Sequence, residues 1–120
     1  MEVADSELVS IGVTVDAGDP LDHTVLASYC TGAAHMALSW VVGESLSVDE
    51  EGTVHDLTVR SFGILPAAET PPVSVSITSA EDTGLATPVN GSDAVFAAVA
   101  HAVWRAAGYP TSWPIGPGFS

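Results

Sequence analysis

Few nitrogen or sulfur side chains in this 120-residue sequence could bind a metal ion or activate a nucleophile. The candidates are four histidines and a single cysteine: His23, His35, His55, His101 and Cys30. No two histidines stand four residues apart, and the cysteine has no partner at the spacing of a zinc ligand set. The serines lack the Gly-x-Ser-x-Gly pattern of a hydrolase nucleophile. The sequence therefore predicts no metal site, no hydrolase and no internal disulfide, and it assigns the histidines structural or surface roles.

Acidic residues dominate the charge. Fifteen aspartates and glutamates stand against two arginines, Arg60 and Arg105, which gives a net charge of −13. Binding to nucleic acid or to an anionic membrane surface is excluded, because both need clustered basic side chains. Two explanations of the acidity remain open. Adaptation to a salty cytoplasm, where dissolved ions screen the repulsion, is the favoured one, and a basic partner subunit is the other.

The most apolar stretch, Val25–Val42, has the length of a membrane span. Polar residues interrupt it at Ser28, Thr31, His35 and Ser39, so we expect a helix of a globular domain and no membrane span. The first ten residues carry acids where a secretory signal has positive charge. The sequence therefore predicts a cytoplasmic protein.

The first part of the chain is predicted to form a strand and a long helix. Leu8–Val15 alternates apolar and polar residues and is rich in β-branched side chains, which indicates a strand. The alanine-rich stretch 22–42 has helical spacing, with Asp22 as its N-terminal cap and Gly43 as its stop.

The middle of the chain is predicted to form a hairpin, a crossing and a strand. Residues 44–48 and 53–60 flank an Asp-Glu-Glu-Gly turn at 49–52, which is a hairpin signal. Residues 62–72 are rich in proline and glycine and predict an irregular crossing. Val73–Thr78 alternates apolar and polar residues, as a half-buried strand does.

The C-terminal part is predicted to form a loop at 80–91 and then a second helix. Ser92 or Asp93 is expected to cap this helix, and Gly108 to end it. Its predicted apolar face consists of Val95, Phe96, Val99, Val103 and Trp104. Residues 109–120 contain three prolines and predict an extended tail that packs through Trp113.

Together these elements predict a single α+β domain over residues 1–120. The order is strand, helix, hairpin, strand, helix, with the two helices packed on one face of a small mixed sheet.

Five segments stand in an order that resembles a known family. They are HTVLASYCTGAAHMALSW at His23–Trp40, VDEEG at Val48–Gly52, VRSFGILPAAETPP at Val59–Pro72, VSVSIT at Val73–Thr78, and the last helix within Pro88–Pro114. This order resembles the C-terminal part of the molybdopterin-binding subunit of the xanthine dehydrogenase and aldehyde oxidase family. That family has a GQ-x-x-GG-x-x-QG helix, a strand pair, an IPTA-x-x-P crossing, a short strand and an A-x-AN-A-I-x-x-A-x-G helix. The resemblance covers about residues 10–115.

The resemblance implies where a molybdopterin cofactor would be contacted. The implied contacts are Thr24, Ala27, Ser28, Thr31 and Gly32 on the first helix, and Asn90 and Gly91 before the last one. The family's general base, a glutamate, falls at Val89, Asn90 or Gly91, and none of these accepts a proton near neutral pH. No catalytic residue is therefore implied, and the nearest acid, Asp93, is the one expected at the helix cap.

We therefore expect a molybdopterin-domain fragment that acts as a small or split subunit of a molybdenum hydroxylase and is not catalytic alone. It would hold no cofactor by itself, and molybdopterin only together with a partner chain. The alternative is a stand-alone, non-catalytic domain that acts through self-association or protein binding. The expected partner is a larger molybdopterin subunit or a second copy, because the first helix is apolar on more sides than a two-layer domain can bury.

Overall fold

The computed structural model of the protein describes residues 1–55, 57–78 and 87–116. Its elements in chain order are β1 (Glu2–Ala4), β2 (Glu7–Val15), α1 (His23–Val42), β3 (Ser47–Val48), β4 (Val54–His55), β5 (Val73–Ile77) and α2 (Ser92–Ala106), with a short 3-10 turn at Ala67–Glu69. Two helices accompany a small mixed sheet and a separate two-stranded hairpin. The predicted α+β class and element order are confirmed.

The main sheet has the strand order β1-β2-β5. Strands β2 and β5 run parallel, in a register that pairs Ile11 with Val73 and Val15 with Ile77. Strand β1 was not predicted. It pairs antiparallel with β2 through a two-residue turn in which Asp5 and Ser6 both have positive φ, 50° and 62°. The usual sequence signal for that turn is Asn-Gly or Asp-Gly, which this chain lacks there.

Helix α1 follows its prediction closely. The Val25 N–H donates to the Asp22 carboxylate at 3.0 Å, and the helix ends at Gly43. Its buried face is mostly small and packs against α2 and the sheet; it consists of Cys30, Ala33, Ala34, Ala37, Leu38 and Val41. Among the described residues this helix alone is long and apolar enough to cross a membrane by length and composition. Here it is the central helix of the core.

Helix α2 packs along α1 through Val95, Val99 and Val103. The prediction that Ser92 or Asp93 caps it is wrong, because the Asn90 side chain takes that role. Asn90 Oδ1 accepts from the Ser92 N–H at 3.0 Å and from the Asp93 N–H at 3.4 Å. An asparagine two residues before a helix satisfies the same free N–H groups as a capping serine or aspartate.

The C-terminal end of α2 is closed by Gly108, as predicted. Gly108 has φ +83°, its N–H bonds to the Arg105 carbonyl, and the Tyr109 N–H bonds to the Trp104 carbonyl. This pair of bonds is a Schellman motif, which favours glycine at the left-handed position. The tail then returns to α1, where the Ile115 N–H donates to the Val41 carbonyl and Trp113 packs on Trp40. The last four residues of the predicted tail lie outside the described part.

Residues 44–64, which we call the arm, carry the hairpin away from the core. The strands are two residues each, shorter than predicted, because residues 58–62 form a turn in place of a ladder. At the base of the arm Gly43 and Gly63 touch so closely that a Cβ on Gly63 would lie 2.3 Å from the Gly43 carbonyl oxygen. The radius of gyration is 16.5 Å, against about 14 Å for a compact domain of this length. The chain is therefore more extended than a compact domain of its length.

Candidate functional site

A groove of about 580 Å³ lies between α1 and the first turn of α2. Its lining residues are Thr24, Val25, Ser28, Tyr29, Gly32, Ala33, Met36, Ser92, Asp93 and Phe96. The volume of the groove is that of a small-molecule or helix-binding site. Its lining is mainly apolar. The polar lining groups, which are hydroxyls and one carboxylate, lie toward the N-terminal ends of the two helices. This groove is the candidate site.

Helical spacing places the large apolar lining residues in one row on α1. Val25 is 49% exposed, Tyr29 67% and Met36 58%. Trp40 continues the row and packs against Phe96 and Trp113 at ring-centroid distances of 5.6 and 4.9 Å. We call the row and the two small residues at its middle the α1 stripe: Val25, Tyr29, Gly32, Ala33, Met36 and Trp40. The expectation that α1 is apolar on more sides than the domain covers is confirmed.

The residues implied as cofactor contacts on α1 are only partly brought together. Thr24, Ser28 and Gly32 line the groove. Thr31 lines a different cavity, on the side of α1 that faces the crossing segment, and Ala27 lines neither. The spacing of three and four residues places all five on one broad face of α1. Two different cavities divide that face, so the five residues do not line one site.

The hydroxyls among these residues are engaged within the helix itself. Ser28 Oγ donates to the Thr24 carbonyl at 3.0 Å, and Thr31 Oγ1 donates to the Ala27 carbonyl at 2.9 Å. Such bonds to the preceding turn are the ordinary state of serine and threonine inside a helix. They leave these side chains without the reach of the long amide side chains that the resemblance places there.

The three positions that correspond to the family's general base have structural roles. The Val89 N–H donates to the Ala17 carbonyl at 3.0 Å. Asn90 is used by its cap bonds and by a bond from its Nδ2 to Asp93. Gly91 is buried where α2 meets the sheet, and a Cβ there would lie 3.0 Å from a methyl group of Val15. No proton acceptor stands at any of these positions.

Asp93 is the one carboxylate among the groove's lining residues. Its Oδ2 accepts from Asn90 Nδ2 at 3.1 Å, and it lies in the first turn of α2, where a negative charge is favoured by the helix dipole. The lining contains neither a histidine nor a second carboxylate to complete an acid–base pair. The role that these contacts give Asp93 is to stabilise the helix start.

The histidines have the structural or surface surroundings expected of them. His35 Nε2 donates to the Leu65 carbonyl at 2.9 Å, and His55 contacts the Asp49 carboxylate at 2.9 Å. His101 lies at the edge of the Trp104 ring, and His23 is an exposed residue of the first turn of α1. No group of three potential ligands is found in the described ranges.

Hydrogen bonds at the tip of the arm lower the pKa of one carboxylate, that of Asp49. The hydrogen bond with His55, and next the Thr53 backbone N–H, hold the pKa of Asp49 below its ordinary value. These bonds close the turn and make no site.

Cys30 is fully buried, and this burial raises the pKa of its thiol above the ordinary value. A protonated, inaccessible thiol is a poor nucleophile and a poor ligand.

Sequence reasoning missed a polar connection between α1 and the base of the arm. The buried Ser39 Oγ donates to the Glu44 carboxylate at 2.6 Å and accepts from the Leu65 N–H at 3.0 Å. His35 bonds the carbonyl of the same Leu65, so both backbone groups of that residue are held by α1. The sequence signal for this connection was a histidine and a serine four residues apart on one helix. Their shared partner, Leu65, could not be identified from the sequence because it lies 26 residues after the serine.

The groove's residues do not fit a molybdopterin held by this chain alone, because the hydroxyls are used internally and the amide and acid are used at the helix start. No family model matches the chain, and neither a curated protein nor a solved structure matches it.

Proposed function

We propose that this chain acts by association and catalyses no reaction alone, as a small or split subunit of a molybdenum hydroxylase. The larger chain would supply the cofactor contacts and the base that are missing here. The order of segments that resembles the xanthine dehydrogenase and aldehyde oxidase family supports the choice of partner. The arm is the observation that carries the role of association.

The arm exposes apolar side chains that a free-standing domain would bury. Leu57 is 71% exposed and Val59 78%, and together with Leu46, Phe62 and Ile64 they surround an open cavity of about 340 Å³. A two-stranded hairpin without further cover is only marginally stable in water. Another protein surface over the arm would bury these side chains and stabilise the hairpin.

The charge of the arm indicates the chemistry of that surface. Asp49, Glu50 and Glu51 form its tip, which places three acidic residues in a row. A partner that offers an apolar patch beside basic side chains would complement the arm. A second copy of this chain offers no such cluster, because it contains only two arginines and no lysine.

The test is co-expression, in the cytoplasm of a suitable host, with a molybdopterin-binding chain encoded beside this one. We expect a stable complex that contains molybdenum and oxidises a purine or an aldehyde with an artificial electron acceptor. The chain alone should give neither turnover nor stoichiometric molybdenum. Activity of the isolated chain that is lost in Asp93→Asn would overturn the proposal.

A matched pair of variants locates the contact. Val59→Glu places a charge on the exposed arm and should weaken the complex. Leu21→Glu places the same charge on a residue that is 96% exposed at the opposite end of α1 from the arm, and it should not. Equal binding by both variants would contradict the arm as the contact.

The second candidate function is a stand-alone domain that acts through self-association. The α1 stripe favours it, because the four large residues of the stripe are apolar and exposed and the stripe contains no charged residue.

A further inference from the structure

The α1 stripe has a feature beyond its exposure: its larger residues stand at positions that are symmetric about a middle of two small residues. Gly32 and Ala33 form the centre, Tyr29 and Met36 stand at equal distances on either side, and Val25 and Trp40 stand at equal distances further out. Small residues therefore occupy the middle and large ones both ends. The row spans about 22 Å of helix, at 1.5 Å per residue.

We propose that a second copy of the chain packs in the groove with its α1 antiparallel, around a two-fold axis between Gly32 and Ala33. A two-fold axis requires that residue i of one copy meet residue j of the other, and that j meet i in return. The stripe meets this condition, since each large residue is placed opposite another member of the row and none is opposite a charge.

The contacts implied by this register are chemically matched. Tyr29 faces Met36 of the second copy, a favourable contact between a thioether and an aromatic ring. Val25 faces Trp40 of the second copy at each end. At the crossing, a Cβ added to Gly32 would meet no atom within 4 Å, so a second helix can approach the backbone there.

The area is consistent with a pair of chains. The four large residues of the stripe are between 44% and 67% exposed, which leaves on the order of 400 Å² of largely apolar surface, a size that marks an interaction site. A second copy in the groove would cover this area on both chains, about 800 Å² in total, and contact with the groove walls would supply the rest of the roughly 1,000 Å² that a specific interface buries.

Charge does not oppose this register locally. The acids nearest the groove, Asp22 and Asp93, both lie at its N-terminal end. In an antiparallel pair the two copies of Asp22 are about 30 Å apart along the helices, beyond the Debye length of about 8 Å at physiological salt. The pairing deepens the self-association function, and it does not depend on the larger chain because it leaves the arm uncovered.

The first measurement is the mass of the full chain by light scattering in about 1 M potassium chloride, where the net repulsion is screened. We expect twice the monomer mass of 12.2 kDa. Tyr29→Glu should halve the mass while circular dichroism stays unchanged, because Tyr29 contributes little to the monomer core. Val59→Glu adds the same charge on the arm and should leave the mass unchanged.

Cysteine cross-linking then tests the register. Gly32→Cys lies beside the proposed axis and should form a disulfide with its counterpart under mild oxidation. Val25→Cys lies about 22 Å from its own counterpart, beyond the roughly 7 Å that a disulfide can bridge, and should not cross-link. The native Cys30 is buried and serves as the unreactive background.

Each other outcome overturns part of the proposal. Cross-linking of Val25→Cys as well as Gly32→Cys would mean parallel helices. A dimer that cross-links at neither position, or that is broken by Val59→Glu alone, would place the interface elsewhere. A monomer of the unmodified chain in molar salt would remove the pairing, whether or not a larger chain binds the arm.

Discussion

The α1 stripe and the arm both expose large apolar side chains, but they differ in support and in charge. The stripe lies on a 20-residue helix whose opposite face is the centre of the core, and it carries no charge. The arm holds two strands of two residues each, ends in three acids and joins the body at a pair of glycines. The two regions therefore suit different partners although both expose apolar side chains. The α1 stripe, which is rigid and self-complementary, suits a second copy of the chain. The arm, which is acidic and makes few contacts with the core, suits a basic surface of another chain.

The largest expected effect comes from the glycine pair at the base of the arm. Gly63 has φ +94°, and its Cβ would lie 2.3 Å from the Gly43 oxygen. We expect Gly63→Ala to lower the free energy of unfolding by about 3 kcal/mol, because it adds both strain and a clash. Gly52 at the tip has φ +82° and open space around it. Gly52→Ala should cost only about 1 kcal/mol, from the left-handed backbone alone. If urea unfolding gave the same loss of free energy for Gly63→Ala and Gly52→Ala, the close contact between Gly63 and Gly43 would not contribute to stability.

The second effect tests the polar connection between the two regions. Ser39→Ala removes the acceptor of the Leu65 N–H and the donor to Glu44, both at a fully buried position. We expect a loss of about 2 kcal/mol, as when a buried donor is left unsatisfied. Ser28→Ala, at a more exposed position of the same helix, should change stability by less than about 0.5 kcal/mol. A small effect of Ser39→Ala would mean that the arm is anchored by the glycines alone.

Salt should act on both regions through the net charge of −13. Screening of repulsion between the acids should raise the melting temperature between low salt and about 1 M potassium chloride, where the Debye length falls to roughly 3 Å. A rise of several degrees corresponds to about 1 kcal/mol in a domain of this size. The Tyr29→Glu chain separates screening within one chain from stabilisation by pairing. A flat or falling melting temperature in both chains would contradict adaptation to salt as the reason for the acidity.

The smallest effect concerns the tip of the arm. The folded pKa of Asp49 is depressed, so its contribution to stability is present above the unfolded pKa and is lost as the pH falls through the folded one. Asp49 lies at an exposed position, where solvent screens its interactions, and the effect should therefore be small. Asp49→Asn should remove a small part of the acid dependence of unfolding below pH about 4. An unchanged pH profile would show that the bond with His55 does not persist in solution.

Much of the framework was predictable because its signals are local. The alternation in Leu8–Val15, the Asp22 cap and Gly108 each act within a few residues of the feature that they set. The cap of α2 was misassigned between neighbours, since asparagine, serine and aspartate satisfy the same N–H groups. The turn at Asp5 and Ser6 lacked its usual glycine and was missed.

The candidate site was less predictable because it depends on what surrounds α1. The apolar pattern of this helix was plain in the sequence, and so was the surplus of apolar residues over what a small domain can bury. Which residues form that surplus depends on where α2 and the crossing segment pack. The same packing separates Thr31 from Ser28 and joins Ser28 to Asp93 in one groove.

The sequence by itself determined the elements, their order, the acidity and the lack of a proton acceptor at Val89, Asn90 and Gly91, since these follow from residue type and local spacing. Only the tertiary structure decided that the α1 stripe remains open, that the arm stands away from the core, and that Ser39 and His35 hold Leu65. Each of these depends on contacts between segments far apart in the chain. Local propensity cannot specify such contacts, because the free energy that selects them comes from burying one element against another.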